Sequence, residues 1–173
     1  MSTTNSSGSG SGSSRWLAPA ARTRAYLHHN IKGLPSAYSS LDTNRLTLLH
    51  FLVHSLKITR DKDLFGPSSE CKQRRQRIID WILNLKVVNV YAGDVSTTGF
   101  CGGTFHGRPF SPSLQPDHLS VSVSSHIAMT YCALLTLLEL GYDIGKLDAE
   151  GIMRGVGKMQ NLDAEKDGVL YGR

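Results

Sequence analysis

Five consecutive residues, Gly99-Phe100-Cys101-Gly102-Gly103, most limit what this chain can fold into. Glycines let a backbone pass close to a ligand or a neighbouring element where a Cβ would clash. A long polar loop follows and ends at His126-Ile127-Ala128-Met129-Thr130-Tyr131, the opening of an apolar helix. A polar residue at a helix mouth sits where backbone N–H groups point outward and anions are favoured. Close approach and a helix mouth together suit a ligand site at the rim of a helical fold. The plainer use of the same pattern is a loop and an amphipathic helix in an ordinary core.

The rest of the chain reads as helical hairpins. Pro19 suits the first turn of a helix running to about Ile31, with Gly33 as the stop. Asp42 or Thr43 is positioned to cap a second helix, whose Leu46, Leu49, Val53 and Leu56 recur at helical spacing as one buried stripe. A third helix is expected from about Gln73 to Lys86, buried through Ile78, Ile82 and Leu85. Ser124 or Ser125 caps a fourth, with Ile127, Tyr131, Leu134 and Leu138 inward and Gly141 ending it. Asp148 caps a fifth, with Ile152, Val156 and Met159 inward. Period-2 alternation is confined to Val121-Ser122-Val123-Ser124, so the fold class expected is all-α. Trp81–Leu85 precedes the glycine turn at 99–103, and Val156–Gln160 precedes a second at Asp167-Gly168-Val169-Leu170-Tyr171-Gly172. Repeats of this helix-then-turn kind indicate stacked helical units.

Residues 1–15 are nearly all Ser, Gly, Thr and Asn, too polar to bury, and are expected to be a disordered tail before a folded unit at 16–173. The net charge of +5 is compatible with anionic ligands such as diphosphates. The basic run at Lys72–Arg77 has no interleaved aromatics to stack bases, so it reads as a wet helix turn and no nucleic-acid partner is expected. Cys71, Cys101 and Cys132 are odd in number and far apart, which argues for free thiols in a reducing compartment. No apolar run approaches a spanning length and no signal peptide is visible, so the cytoplasm is the expected location. His50 and His54 have the i, i+4 spacing of zinc ligands, but Phe51 stands where a metalloprotease helix has glutamate, and the pair reads as incidental. Cys101, His106 and His118 share a loop and read as ordinary loop residues rather than a metal site.

Several separated motifs, in order, resemble the β subunits of type I protein geranylgeranyltransferases. They are Tyr38-Ser39-Ser40-Leu41-Asp42-Thr43-Asn44-Arg45-Leu46-Thr47, Ile78-Ile79-Asp80-Trp81-Ile82-Leu83-Asn84-Leu85, the glycine turn at 99–103 with Gly107-Arg108-Pro109-Phe110, and His126–Tyr131. The resemblance runs from about Arg24 to Gly168. Farnesyl-type and Rab-type relatives share the general pattern. It implies a partial α-α toroid, inner and outer helices around an apolar funnel. It also implies transfer of a geranylgeranyl group from geranylgeranyl diphosphate to the cysteine of a C-terminal CaaX motif, in partnership with an α subunit.

By the same resemblance, Thr47 matches a small residue that leaves the funnel deep enough for the longer isoprenoid, and Phe51 lines the wall one turn later. His126 and Ala128 match contacts to the last CaaX residue, and Tyr131 joins the funnel wall. Plain core packing accounts for these residues equally simply. The family's zinc is held by an aspartate, a cysteine and a histidine on later helices that have no counterpart here. No catalytic residue and no metal ligand is therefore expected in this chain, and the chain alone is expected to be inactive. A non-catalytic helical fragment that binds the α subunit or a peptide is the alternative.

Overall fold

The computed structural model describes residues 14–33, 35–91, 95–104 and 125–159. Residues 1–13 of the tail expected at 1–15, Gly107–Phe110, the Val121–Ser124 alternation, His106, His118 and the second glycine turn lie outside the described residues, while Ser14 and Arg15 are helical rather than part of a tail.

The helical reading holds. The first helix, α1 (Ser14–Lys32), begins more than a turn before Pro19, and buries Leu27 and Asn30 on one stripe. A 3-10 segment (Ser36–Asn44) leads into α2 (Arg45–Ile58). Neither Asp42 nor Thr43 caps that helix: the N-cap is Asn44, without a side-chain bond. The Leu46 N–H instead donates to the Gly102 carbonyl at 2.8 Å, and Asp42 turns to pair with the Arg45 guanidinium. A backbone carbonyl of the glycine turn thus does a cap's work.

A short helix α3 (Lys62–Phe65), capped by Asp61, leads to α4 (Ser69–Leu83), capped by the Ser68 hydroxyl on the Cys71 N–H. Because α4 starts before Gln73, the basic run lies past its first turn, which carries Glu70, a favourable charge at that end. Arg75 leaves the run and donates to the Leu64 carbonyl at 2.6 Å and the Gly66 carbonyl at 3.2 Å, closing the end of α3.

Residues 86–100 depart from expectation. Lys86 is not helical: α4 ends at Leu83, and β1 (Lys86–Tyr91) pairs antiparallel with β2 (Val95–Phe100), Lys86 facing Phe100 and Tyr91 facing Val95. Val87, Val88 and Val90 favour an extended, half-buried surface over a helix. The hairpin is an insert in a helical fold, packed under α6 (Ala149–Met159). Gly155 of α6 sits so close to β2 that a Cβ there would lie 3.0 Å from the Thr98 carbonyl. Asp148 caps α6 as expected, accepting from the Gly151 N–H at 2.9 Å, and also accepts from the Thr98 hydroxyl.

The remaining helix, α5 (Ile127–Glu139), ends in Gly141 at φ +83°, a left-handed position where glycine is unstrained. Its buried face is Met129, Cys132, Ala133, Thr136 and Leu137. That corrects the expected inward stripe: Tyr131 and Leu138 are exposed, and Ile127 and Leu134 are half-buried. Small side chains let α5 lie tight on α2, which turns its bulky face outward. The α2 stripe is as read, with Leu46, Val53 and Leu56 buried and Leu49 half-buried. In α4, Ile82 is buried and Ile78 half-buried, and Leu85 is buried in the turn that follows. Leu46, Leu56, Ile82, Val87, Phe100 and Leu137 centre one core joining α2, α4, α5 and the hairpin.

Candidate functional site

The glycine turn aligns the starts of two helices. At one end of it, the Phe100 carbonyl accepts the His126 N–H at 3.0 Å, and the Phe100 N–H donates to the Thr130 hydroxyl oxygen at 3.0 Å. That hydroxyl donates in turn to the His126 carbonyl at 3.0 Å. A Cβ on Gly99 would lie 2.5 Å from the Ser125 Cβ, so glycine is what lets the approach to α5 run alongside β2. At the other end, Gly102 receives the start of α2. The cap of α5 is His126, not Ser125: its Nδ1 accepts the Ala128 N–H at 3.1 Å, so the ring proton sits on Nε2.

With their starts fixed, α2 and α5 meet along a seam of small and polar side chains. The Thr47 hydroxyl donates to the Met129 sulfur at 3.4 Å, and the Cys132 thiol lies 3.9 Å from the Thr47 oxygen. Further along, the Thr136 hydroxyl donates to the Cys132 carbonyl at 2.7 Å, back-bonding within α5. Its oxygen therefore accepts from His50 at 3.1 Å, which assigns the His50 proton to Nδ1. Burial holds the His50 pKa below its ordinary value; Glu139 pulls it upward and His54 pushes it down. The next turn pairs His54 Nδ1 with Glu139 Oε1, while Glu139 Oε2 is buried with no partner among the described residues. His50 and His54, spaced like ligands, are thus committed to separate partners on α5.

Four of the five candidate residues lie along this seam or on its open side. Thr47 is half-buried in it. Phe51 and Tyr131 are 59% and 60% exposed, and their rings flank His50 at centroid separations of 5.7 and 6.4 Å. Ala128 is exposed one turn before Tyr131. His126 stands at the end, half-buried as the cap. The result is an open aromatic face over a polar, well-bonded seam. Met129, Cys132, Thr136 and Glu139 belong to the same arrangement and escaped the sequence reading, which looked for bulk rather than for small residues one turn apart.

The sequence profile of the prenyltransferase alpha-alpha toroid domain matches residues 20–171. The chain belongs to that family. It is 27% identical to the geranylgeranyl transferase type-1 subunit beta of Arabidopsis thaliana over 141 residues, 80% of this chain and 34% of that protein. It is 26% identical to the protein of the same description from Dictyostelium discoideum over 155 residues, 85% of this chain and 41% of that one. The chain thus spans well under half the length of these prenyltransferase relatives. No helix among its described residues is long and apolar enough to cross a membrane.

Among the described residues, the cysteines and the one convergent donor cluster are already engaged. All three cysteines are buried and free. Cys101 donates to the Leu85 and Gly103 carbonyls at 3.4 and 3.5 Å, and burial pushes its thiol pKa up, away from the thiolate a metal needs. Among the described residues, His28, Asp61 and Asp63 form the one group with ligand atoms close enough to converge on an ion. Asp61 is already spent there: Oδ1 accepts the Leu64 N–H at 2.8 Å, and Oδ2 bonds His28 Nε2 at 2.9 Å with the Arg24 guanidinium at 3.5 Å. A cation beside the carboxylate opposes a second one, and the group fastens α1 to the α2–α3 corner.

Proposed function

We propose that this chain is the N-terminal part of a type I protein geranylgeranyltransferase β subunit, which with an α subunit carries a geranylgeranyl group from its diphosphate to a CaaX cysteine. The observation that carries the reading is the aromatic face on α2 and α5. A polyisoprenoid has only apolar surface to offer, each Å² removed from water is worth about 25 cal/mol, and Phe51 and Tyr131 are large rings left open to receive it. Thr47, small and at the seam, leaves depth beside them for a fourth isoprene unit. His126 and Ala128, at the mouth of α5, take the last CaaX residue. The type-1 names of both relatives support the same assignment. Zinc enters no step assigned to these residues.

The donor set also favours a second reading, a non-catalytic module that binds the α subunit or a peptide. One experiment separates the readings, including a farnesyl-type enzyme. Fluorescent geranylgeranyl and farnesyl diphosphate analogues are titrated into the complex of this chain with a prenyltransferase α subunit. Geranylgeranyl preference of about tenfold, weakened by Tyr131→Ala and Phe51→Ala, supports the proposal. Farnesyl preference reassigns the type. A complex that binds neither analogue leaves the module.

A further inference from the structure

The side of α2 opposite the seam carries a different site. Thr47, His50 and His54 face α5, and the helical period puts Leu48, Leu49 and Leu52 on the other side. There the C-terminal end of α1, α2 and α4 enclose a groove of about 300 Å³. Its floor is apolar: Leu49, Leu52, Ile78 and Trp81 pack on the core yet stay half-exposed. Its rim is cationic, with Lys32, Arg45 and Arg77, and no Asp or Glu is among the described residues lining it. Arg45 is paired with Asp42. Lys32 and Arg77 are exposed and enter no ion pair among the described residues.

A hydrocarbon floor and two cations without an ion pair among the described residues, in one groove, select a ligand with both halves. We propose that this groove binds a single-chain amphiphilic anion, a short hydrocarbon chain ending in a phosphate or carboxylate. The chain lies against Trp81 and Leu52, and the head meets Lys32 and Arg77. Size decides against the other occupant of matching charge, an acidic helix of a partner protein. The volume is at the lower limit of small-molecule sites, about 300–1,000 Å³. The α2 wall from Arg45 to Leu52 rises only about 10 Å, two helical turns.

Trp81 is the reporter. With Trp16→Phe removing the other tryptophan, decyl phosphate and decanoate are titrated below their micellar concentrations into the full chain and Trp81 emission is followed. Saturation at one ligand per chain, with Lys32→Gln and Arg77→Glu each raising Kd at least about fivefold, supports the proposal. Decyl phosphate and decanoate differing in Kd identifies the preferred head. Arg77→Gln, checked by circular dichroism, stands in if the charge reversal unfolds the chain. The proposal is overturned if neither anion saturates, if neutral decanol binds as tightly, if the cation variants bind unchanged, or if Phe51→Ala on the opposite face abolishes binding. Saturation by an acidic amphipathic helical peptide and by neither decyl anion also overturns it, in favour of a protein partner.

Discussion

Replacing Gly102 with alanine tests whether the glycine turn holds the starts of α2 and α5. A Cβ at Gly102 would stand 1.7 Å from the Thr43 carbonyl oxygen and 2.7 Å from its carbon. Both are backbone atoms, which cannot rotate away as a side-chain tip would. To make room the turn must withdraw from α2, stretching the 2.8 Å bond from the Leu46 N–H to the Gly102 carbonyl. Overpacking costs about 1–3 kcal/mol and loss of a hydrogen bond about 0.5–1.5 kcal/mol, so the expected destabilisation is about 3 kcal/mol. At about 2–4 °C per kcal/mol for a chain of this size, the midpoint falls by about 6–12 °C in a circular-dichroism melt. Hydrogen exchange should report the same event locally, as faster exchange of the Leu46 amide. Gly157→Ala is the control: nothing lies within 4 Å of a Cβ there, and alanine in α6 gains up to about 1 kcal/mol of helix propensity. Gly102→Ala melting within a degree of wild type, with Leu46 exchange unchanged, would refute the close approach.

Acid should weaken the fold in two stages. The folded state disfavours a proton on buried His50, whose pKa is lowered from 6.5, so stability is full above 6.5 and is lost as pH falls below it. Melts at pH 7.5 and 5.5 should differ, and less so in His50→Gln; no difference in wild type would exclude His50 as the cause. Burial raises the Asp61 pKa, but bonds from His28 and the Leu64 and Asp63 N–H groups outweigh it, so its stabilisation persists down to 3.8 and is lost as pH falls through the lower folded value. Asp61→Asn should therefore flatten the decline below pH 3.8. Ellman's reagent should react slowly with all three cysteines until the chain unfolds, and a fast stoichiometric reaction would contradict their burial. Elemental analysis of the purified chain, alone or with an α subunit, should find no stoichiometric zinc, and a CaaX-Leu peptide should not be modified; one zinc per chain with turnover would overturn the donor-set reading. In a full-length version, Thr47→Trp should move preference from geranylgeranyl toward farnesyl diphosphate, and an unchanged competition ratio would remove Thr47 from the chain-length role.

Much of the helical layout was legible because its signals are local. The α2 stripe follows from the spacing of Leu46, Val53 and Leu56, and Asp148 and Gly141 act at the helix ends they mark. The first cap of α2 was illegible because it comes from Gly102, far away in sequence, and two helices must already be packed for it to form. The hairpin left a partial trace in Val87-Val88-Asn89-Val90-Tyr91, rich in β-branched residues, but the strands bury side chains on both faces near Phe100, so period-2 alternation is weak. The phase of α5 was misread for a related reason. Large apolar side chains do not by themselves define a buried face: Ala133, Cys132 and Thr136 are buried together with Met129 and Leu137, while Tyr131 and Leu138 are not. Those two are left outward, and so the candidate face exists.

The polar residues of the seam follow from the packing of α5 on α2. Thr47, His50 and Thr136 are small or flat enough to let α2 and α5 approach, but each brings a polar atom into the packed seam, His50 and Thr136 into its buried part. An unpaired buried polar group costs about 1–3 kcal/mol, so each must find its partner across or along the seam. Thr47 finds Met129, His50 finds Thr136, and Thr136 finds the Cys132 carbonyl. The two bonds that cross the seam, Thr47 to Met129 and His50 to Thr136, fix the rotation of α5 about its own axis, because turning it by one residue would break both. That rotation presents Tyr131 and Ala128 beside Phe51. The open aromatic face is therefore held by the buried polar row beneath it, and a substitution in the row reaches the face without touching it. On the far side of α2, Leu49 and Leu52 answer to α1 and α4 instead, so the face and the groove can be altered separately although one helix carries both.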